Sequence, residues 1–356
     1  MRTVPLGQTG IAVSPLCFGT LPFSPLQGYV CGTETCPPPR AEPDGRAAVT
    51  LARAFELGVN FLDTAQLYDN YALIRPALAT PAGRGVVVAS KTYAHTREGA
   101  LAAVEEARRG LGRDVIDLFL LHEQESEHTL RGHAPALEAL YDLKASGVLR
   151  AVGLSTHRAE GVWAAVRAGL DVVHPLLNVA GLGGHGPPRP SGSDDENKQA
   201  DHPLSVRARM EDAVTAAMDA GLGVYIMKAL GGGHLFRRAQ EALEYARRWG
   251  HSVALGMRDT DEAEAAAAFF ETGVLPPLAN KKPRALHIAD WCEGCGRCAA
   301  ACKSGALEIT DGKARLREGT EPDGCENLAR TDATGRACVL CGYCGAACPH
   351  FCIKVV

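Results

Sequence analysis

The chain has 356 residues, of which 46% are hydrophobic and 22% are charged, and its formal net charge is −4. This near-neutral balance, without a long basic stripe, argues against a nucleic-acid partner. No uninterrupted apolar run reaches the roughly 18 residues of a membrane helix, and the first residues lack the apolar stretch of a secretion signal, so we expect a cytoplasmic protein without a membrane partner.

Predicted strands alternate with predicted helices along most of the chain. Short apolar runs typical of buried strands lie at 13–19, 59–64, 86–90, 115–121, 150–155, 171–177, 223–228 and 252–256. Segments with the spacing of amphipathic helices separate them, at 44–57, 97–111, 133–146, 159–168, 205–220, 236–248 and 260–271. Such alternation favours an α/β fold in which a parallel sheet closes into a (β/α)₈ TIM barrel, and a doubly wound open sheet is the alternative.

The two ends of this region do not follow the alternation of strands and helices. Residues 2–13 are typical of a hairpin, which we expect to close the bottom of the barrel. After Gly273 the sequence becomes rich in proline and then in cysteine. We therefore predict the barrel over 1–272, a linker over 273–290 and a second, small domain over 291–356.

The second domain carries a duplicated cysteine motif. Ten of the 13 cysteines lie between Cys292 and the C-terminus. The spacing C-x₂-C-x₂-C-x₃-C begins at Cys292 and again at Cys338. Three thiolates at this spacing can hold one iron–sulfur cluster while the fourth reaches another. Zinc sites are the competing interpretation, but structural zinc sites pair C-x₂-C units rather than tripling them.

The motif resembles that of the bacterial two-cluster ferredoxins, which implies a small α+β ferredoxin-like domain with two [4Fe–4S] clusters. By this resemblance the first cluster is held by Cys292, Cys295, Cys298 and Cys348, and the second by Cys338, Cys341, Cys344 and Cys302. The sequence departs from the ferredoxins at Lys303, where the first repeat normally has a proline, and in the long insert 311–336. It assigns no role to Cys31, Cys36, Cys325 and Cys352.

Ionisable side chains follow three consecutive predicted strands of the barrel. Asp63 ends the second strand and Tyr68 lies in the loop after it, whereas Lys91 ends the third strand and His122 follows the fourth. The C-terminal ends of barrel strands open on one face, where active sites are built. A tyrosine has a pKa of about 10, so we expect Lys91 to favour its phenolate. Asp63 would then fix and partly balance Lys91.

These residues belong to stretches that resemble the aldo/keto reductase family over about residues 1–272. The matching stretches are LGQTG (6–10), GVNFLDTA (58–65), ASK (89–91) and LLHE (120–123). The resemblance implies a catalytic tetrad of Asp63, Tyr68, Lys91 and His122. Tyr68 would donate a proton and His122 would orient the carbonyl, while NADP(H) or NAD(H) exchanges hydride with a small carbonyl or alcohol substrate.

The same resemblance implies nucleotide-binding positions after the later strands: Ser155, Asn178, Met227, Lys228, Gly231, Gly232, Gly256 and Arg258. Ser155 and Asn178 would hold the carboxamide, and Arg258 would face a 2′-phosphate. Three positions depart from the family. Met227 replaces a common tyrosine, Glu262 stands where a basic residue is frequent, and Ala266 replaces a usual asparagine. A carboxylate repels phosphate, so NADPH is only mildly favoured over NADH.

The whole chain resembles the branch of aldo/keto reductases with a fused ferredoxin-like domain. This implies an oxidoreductase whose clusters carry electrons to or from the barrel site. Because hydride carries two electrons and each cluster one, an external flavoprotein or ferredoxin is a candidate redox partner. A plain carbonyl reductase with structural clusters, and a non-catalytic electron carrier or redox sensor, are the alternatives.

Overall fold

The computed structural model describes residues 1–24, 45–182, 203–233, 235–277, 286–302, 305–319, 338, 343–350 and 352–355. Among the residues singled out above, Cys31, Cys36, Lys303, Cys325 and Cys341 lie outside these ranges. The chain divides into two compact units, one formed by Met1–Ala229 with Leu243–Leu278 and the other by Leu230–Ala242 with Ala279–Val356. The domain boundaries at 272 and 290 remain predictions.

The first unit contains a closed barrel of eight parallel strands, preceded by a two-stranded hairpin. The hairpin strands are β1 (Val4–Pro5) and β2 (Ala12–Val13). The barrel strands are β3 (Leu16–Gly19), β4 (Phe61–Asp63), β5 (Val87–Thr92), β6 (Ile116–Leu121), β7 (Leu149–Thr156), β8 (Val172–Pro175), β9 (Gly223–Ile226) and β10 (Ser252–Gly256). They follow one another in chain order and β10 pairs with β3. The predicted barrel is confirmed, and the open-sheet alternative is wrong.

Helices connect the strands. They are α1 (Arg46–Glu56), α2 (Tyr71–Leu78), α3 (Arg97–Leu111), α4 (Glu127–Gly132), α5 (Ala134–Ala145), α6 (Ala159–Arg167), α7 (Pro203–Asp219), α8 (Ala239–Ala246) and α9 (Thr260–Thr272). Helix α3 illustrates how local sequence signals begin and end a helix. The Thr96 side chain caps its first turn by accepting from the Gly99 amide, and Gly112 ends it in the left-handed conformation. Ala100, Ala103 and Ala107 lie on its buried side.

The alternation of side chains along the strands positions the polar residues of the barrel mouth. Successive residues of a strand point to opposite faces, so every second residue faces the barrel interior. Phe61 on β4, Ala89 on β5 and Leu120 on β6 belong to one buried core. Two residues further along these chain segments stand Asp63, Lys91 and His122. They form the next layer above the apolar core.

The N-terminal hairpin covers the opposite end of the barrel. Leu6 is completely buried in the same core. The Gln8 amide donates to the carbonyl of Gly221, just before β9, over 2.9 Å. A Cβ on Gly7, whose φ is +54°, would lie 2.4 Å from the amide nitrogen of Gly223, so only glycine allows this approach. The predicted closure of the barrel bottom is observed.

The second unit is a small α+β arrangement. It contains β11 (Leu286–Ile288), α10 (Arg297–Ala301), β12 (Leu307–Thr310), β13 (Lys313–Leu316), α11 (Tyr343–Ala346) and β14 (Ile353–Val355). Strand β11 pairs with β14 and β12 with β13, both antiparallel. The predicted linker 273–290 therefore contains β11. Within the described ranges, no helix has the length and apolar character needed to cross a lipid bilayer.

Candidate functional site

Asp63 and Lys91 form a buried ion pair at the mouth of the barrel. The Lys91 ammonium donates to Oδ2 of Asp63 and to the carbonyl of Thr64, each over 2.7 Å. The side chains of Lys91 and Asp63 are 1% and 6% exposed. The two charges therefore balance each other inside the barrel, where an unpaired charge would be costly.

Tyr68 lies beside this pair, in a single turn of 3₁₀ helix (Gln66–Tyr68) after β4. The Lys91 Nζ is 5.1 Å from the centroid of its ring. Desolvation raises the pKa of Tyr68 well above its ordinary value, and Asp63 and Glu123 add to the increase. Lys91 is not among the groups that shift this pKa, so the expectation that Lys91 favours the phenolate stays a prediction. In the structure the Lys91 ammonium pairs with Asp63.

His122 completes the predicted tetrad. Its ring meets the edge of Tyr68, with centroids 6.1 Å apart, and stacks on Tyr93 at 4.5 Å. Burial lowers the pKa of His122 well below its ordinary value, and the charge of Lys91 adds to the decrease. The imidazole is thus neutral at physiological pH. The structure brings together all four residues that the sequence predicts.

Tyr225 and His174 extend the site into the barrel, and sequence reasoning missed both. The Tyr225 hydroxyl donates to Oδ1 of Asp63 over 2.9 Å. The His174 ring stacks on that of Tyr225 at 3.8 Å, and its Nε2 lies 3.8 Å from the same carboxylate oxygen. Burial lowers the pKa of His174 to about 4. Both carboxylate oxygens of Asp63 are therefore engaged.

Tyr93 and Glu123 form a second missed pair, at the outer rim. The Tyr93 hydroxyl donates to Oε2 of Glu123 over 2.6 Å. Glu123 has a φ of +51°, an uncommon conformation for a residue with a Cβ. Its amide donates to Oγ of Ser155 over 2.9 Å. Through this chain of contacts the rim fixes the tyrosine that stacks on His122.

The predicted carboxamide-binding residues make internal hydrogen bonds. Ser155 is fully buried and accepts from Glu123 as described above. The Asn178 Nδ2 donates to the carbonyls of Leu182 and Lys228, and its Oδ1 accepts from the Leu182 amide. Asn178 therefore organises its own loop and links it to the segment after β9.

The remaining nucleotide-binding candidates also follow barrel strands. Lys228 has a φ of +55°, and desolvation lowers its pKa. Gly231 and Gly232 have left-handed φ angles, and Met227, just before Lys228, is half-buried. Gly256 ends β10 opposite Gly19. Within the first unit, Lys228 offers a cation and Gly256 an exposed backbone position, a combination that suits a phosphate group.

Arg258 is engaged by a carboxylate. Its amide donates to Oε2 of Glu262 over 2.8 Å, and its Nε lies 4.0 Å from Oε1. The guanidinium that the resemblance assigns to a 2′-phosphate is thus partly neutralised. Lys228 fits a phosphate group, and Ser155, Asn178 and Arg258 each have partners within the protein.

The first predicted set of cluster ligands converges in the second unit. A small pocket is lined by Cys292, Cys295, Cys298 and Cys348, together with Cys352. The Ala314 amide donates to Sγ of Cys292 over 3.4 Å. Amide hydrogen bonds to sulfur are the kind of contact that tunes an iron–sulfur cluster. The four thiols and their surroundings fit one [4Fe–4S] cluster.

The second predicted set is only partly described. Cys302 and Cys344 pack in the same small core as Cys298, Cys338 is half-buried, and Cys341 lies outside the described residues. In the part of the chain that the structure describes, no three His, Cys, Asp or Glu side chains are grouped for a single metal ion.

A glycine shapes the loop that carries the first ligands. Gly294, between Cys292 and Cys295, has a φ of +62°. A Cβ at this position would lie 2.2 Å from the carbonyl oxygen of Gly312. The loop can therefore pack against the β12–β13 turn only with glycine there, which holds both cysteines at the pocket wall.

Comparisons with known proteins assign both parts of the chain. The family model of the aldo/keto reductase family matches residues 30–178, and that of the 4Fe-4S dicluster domain matches residues 291–351. The uncharacterized oxidoreductase YqkF of Bacillus subtilis is 34% identical over 44% of this chain and 50% of its own length. L-galactose dehydrogenase of Arabidopsis thaliana is 28% identical over 42% of this chain and 47% of its own length. The chain thus spans about half the length of these relatives.

Solved structures show the same fold. A Pseudomonas aeruginosa protein assigned to the aldo-keto reductases has a TM-score of 0.57 at 25% identity, covering 76% of this chain and 95% of its own. An aldo-keto reductase from Bacillus halodurans has a TM-score of 0.57 at 19% identity, covering 78% of this chain and 93% of its own. The chain is an aldo/keto reductase family domain with a TIM-barrel fold, followed by a C-terminal 4Fe–4S dicluster domain.

Proposed function

We propose that the chain is an NAD(P)H-dependent oxidoreductase that interconverts a small carbonyl compound and its alcohol. The observation that carries this proposal is the contact chain from Asp63 through Lys91 to Tyr68, with neutral His122 beside the phenol. This constellation provides a protonated acid, a buried cation next to it and a hydrogen-bonding imidazole at one end of the barrel.

Each residue has a role in this proposal. The nucleotide supplies hydride when bound. Tyr68 gives its hydroxyl proton to the carbonyl oxygen as that oxygen gains negative charge. Lys91 stabilises the phenolate left behind, and Asp63 holds Lys91 in position. Neutral His122 donates a hydrogen bond to the carbonyl and orients it.

A substrate panel tests the proposal. Sugars belong in it because the Arabidopsis relative is named for L-galactose, and simple aldehydes and ketones complete it. We expect Tyr68→Phe to lower kcat about 10²- to 10⁴-fold. Tyr71→Phe is a matched control, because it removes a buried hydroxyl that is hydrogen-bonded to Ser90. Equal turnover in the wild-type and Tyr68→Phe proteins would remove the proposed role of the tetrad.

The dicluster domain leads to a finer proposal: the clusters exchange electrons with the barrel site. Hydride carries two electrons, whereas each cluster exchanges one electron at a time. Because of this mismatch, an external flavoprotein or ferredoxin would serve as the redox partner. Clustered thiols stay reduced in the cytoplasm, where we expect the protein. Anaerobic addition of NADPH, then of NADH, should bleach the visible absorbance of the clusters. Unchanged absorbance during turnover would indicate structural clusters instead.

The internal hydrogen bonds of Asn178 and the pairing of Arg258 with Glu262 favour a second candidate. In that alternative the barrel binds no nucleotide, and the protein is an electron carrier or redox sensor. Fluorescence titration with both nucleotides distinguishes the candidates. Saturable binding supports the enzyme, and its absence at millimolar nucleotide supports the carrier.

A further inference from the structure

The cluster pocket of the second unit holds one thiol more than a cluster needs. Five cysteines line it: Cys292, Cys295, Cys298, Cys348 and Cys352. A [4Fe–4S] cluster takes four cysteine ligands. The first three belong to one motif, which leaves two candidates for the fourth corner.

Cys348 and Cys352 are direct neighbours in this pocket. The Cys352 amide donates to Sγ of Cys348 over 3.2 Å. Cys352 is 2% exposed, and its carbonyl accepts from the Ala289 amide over 2.6 Å. The residue after it, Ile353, pairs with Ile288. The β11–β14 ladder therefore holds Cys352 firmly at the pocket wall, next to the thiol that the ferredoxin resemblance selects.

Other contacts of the Cys352 thiol are weak. Its Sγ lies 3.8 Å from the carbonyl oxygen of Trp291 and 3.7 Å from that of His350. A thiol is a poor donor, so these contacts hold it loosely. No strong hydrogen bond must break before it binds a metal.

We propose that Cys352 is a reserve ligand for the cluster corner that Cys348 fills. This proposal rests on the proposed ligand set of the first cluster. In the exchange, the bond from iron to the Cys348 sulfur breaks and a bond to the Cys352 sulfur forms. The Cys352 thiol gives up its proton and the departing Cys348 thiolate takes one up. No electron is transferred in this ligand exchange, so no oxidant or reductant is required.

The test compares cluster content across variants of the full chain after anaerobic reconstitution. Iron and sulfide analysis is combined with electron paramagnetic resonance, which detects a three-iron cluster in the oxidised protein. The wild type, Cys348→Ala and Cys352→Ala should each hold about eight irons per chain without a three-iron signal. The double variant Cys348→Ala/Cys352→Ala should lose iron or show that signal.

Two control variants show what loss of a required ligand and loss of an unrelated cysteine look like in this experiment. Cys295→Ala removes a first-motif ligand, for which we propose no substitute, and should damage the cluster by itself. Cys17→Ala removes a buried thiol of the barrel and should change nothing in the cluster signals. If Cys348→Ala is insoluble, Cys348→Val serves in its place, because valine fills the space of the side chain and has no atom that can bind iron.

The proposal fails if Cys348→Ala loses the cluster as completely as the double variant. It also fails if Cys352→Ala alone loses the cluster, since Cys352 would then be the resident ligand, or if the double variant keeps it. A wild type that holds no iron would instead overturn the cluster assignment itself. As an independent measurement, oxidant-induced cluster loss should be severalfold faster in Cys352→Ala than in the wild type, and equal rates would contradict the proposal.

Discussion

The Lys91 ammonium lies 2.7 Å from Oδ2 of Asp63, and neither side chain is more than 6% exposed. Substituting Asp63→Asn leaves that cation buried beside a neutral amide. Removing one partner of a buried ion pair costs about 3–5 kcal/mol. We expect a loss of that size in the free energy of unfolding, measured by urea denaturation.

A surface pair provides the comparison for this variant. Glu105 contacts Arg108 and Arg109 on the exposed side of α3. Glu105→Gln should cost far less than Asp63→Asn, because exposed ion pairs contribute little. If both variants lose the same stability, the buried pair has no special importance for folding.

The sequence was sufficient to predict the barrel and the convergence of Asp63, Lys91 and His122 at its mouth, because both follow from short-range regularities. Apolar runs alternate with amphipathic helices, and a polar residue at a strand end must emerge at the common mouth. Asp63, Lys91 and His122 continue the inward-facing period of their strands.

The same rule also selects His174, two residues after buried Val172. A single histidine in a strand is, however, equally typical of a residue packed in the core. Tyr225 was beyond sequence reasoning for a different reason. Its contact with Asp63 joins residues 162 positions apart and depends on how the barrel closes. The direction of the Tyr68 pKa shift likewise depends on how the folded barrel desolvates the phenol, which only the structure shows.

Tyr225→Phe should lower the stability of the protein and reduce its activity, because Tyr225 supports Asp63. It removes the hydroxyl that donates to Asp63 and leaves a buried carboxylate oxygen without that bond, at a cost of about 1–3 kcal/mol. Because Lys91 still binds the other oxygen, kcat should fall only severalfold. Urea denaturation and steady-state kinetics check the two effects.

Tyr71→Phe is the matched variant, since its buried hydroxyl lies 2.6 Å from Oγ of neutral Ser90. It should lose some stability and no activity. Equal kinetic effects in the two variants would indicate that the contact between Tyr225 and Asp63 serves folding alone.

Stability should decrease in mild acid because His174 stays neutral in the folded barrel. Its pKa of about 4 lies below that of an unfolded histidine, about 6.5. Below pH 6.5 the unfolded chain therefore binds a proton that the folded chain does not bind. As a result the free energy of unfolding decreases as the pH is lowered from 6.5 to about 4. Between pH 6.5 and pH 5 the loss is about 2 kcal/mol.

Urea denaturation at several pH values measures this loss. His174→Gln should flatten the dependence, whereas His128→Gln on the exposed side of α4 should leave it unchanged. An unaltered slope in His174→Gln would assign the acid sensitivity to other groups.

Carbonyl reduction should remain active in mild alkali. Because desolvation raises the pKa of Tyr68, its proton stays available up to and beyond an ordinary tyrosine pKa of about 10. We expect kcat for reduction to show no decrease caused by Tyr68 between about pH 7 and pH 9. A decrease in this range that tracks proton loss from Tyr68, seen in its ultraviolet difference spectrum, would show that Lys91 does favour the phenolate.

The choice between NADPH and NADH should respond to Glu262. Glu262→Gln removes the negative charge beside Arg258, while its amide oxygen can still accept from the Arg258 backbone. An exposed charge pair contributes at most about 1 kcal/mol, so kcat/KM for NADPH relative to NADH should rise up to about fivefold. Glu264→Gln, on the same helix but paired with Arg53, controls for a general change in surface charge. If both variants shift the ratio equally, or neither does, Arg258 does not recognise the 2′-phosphate.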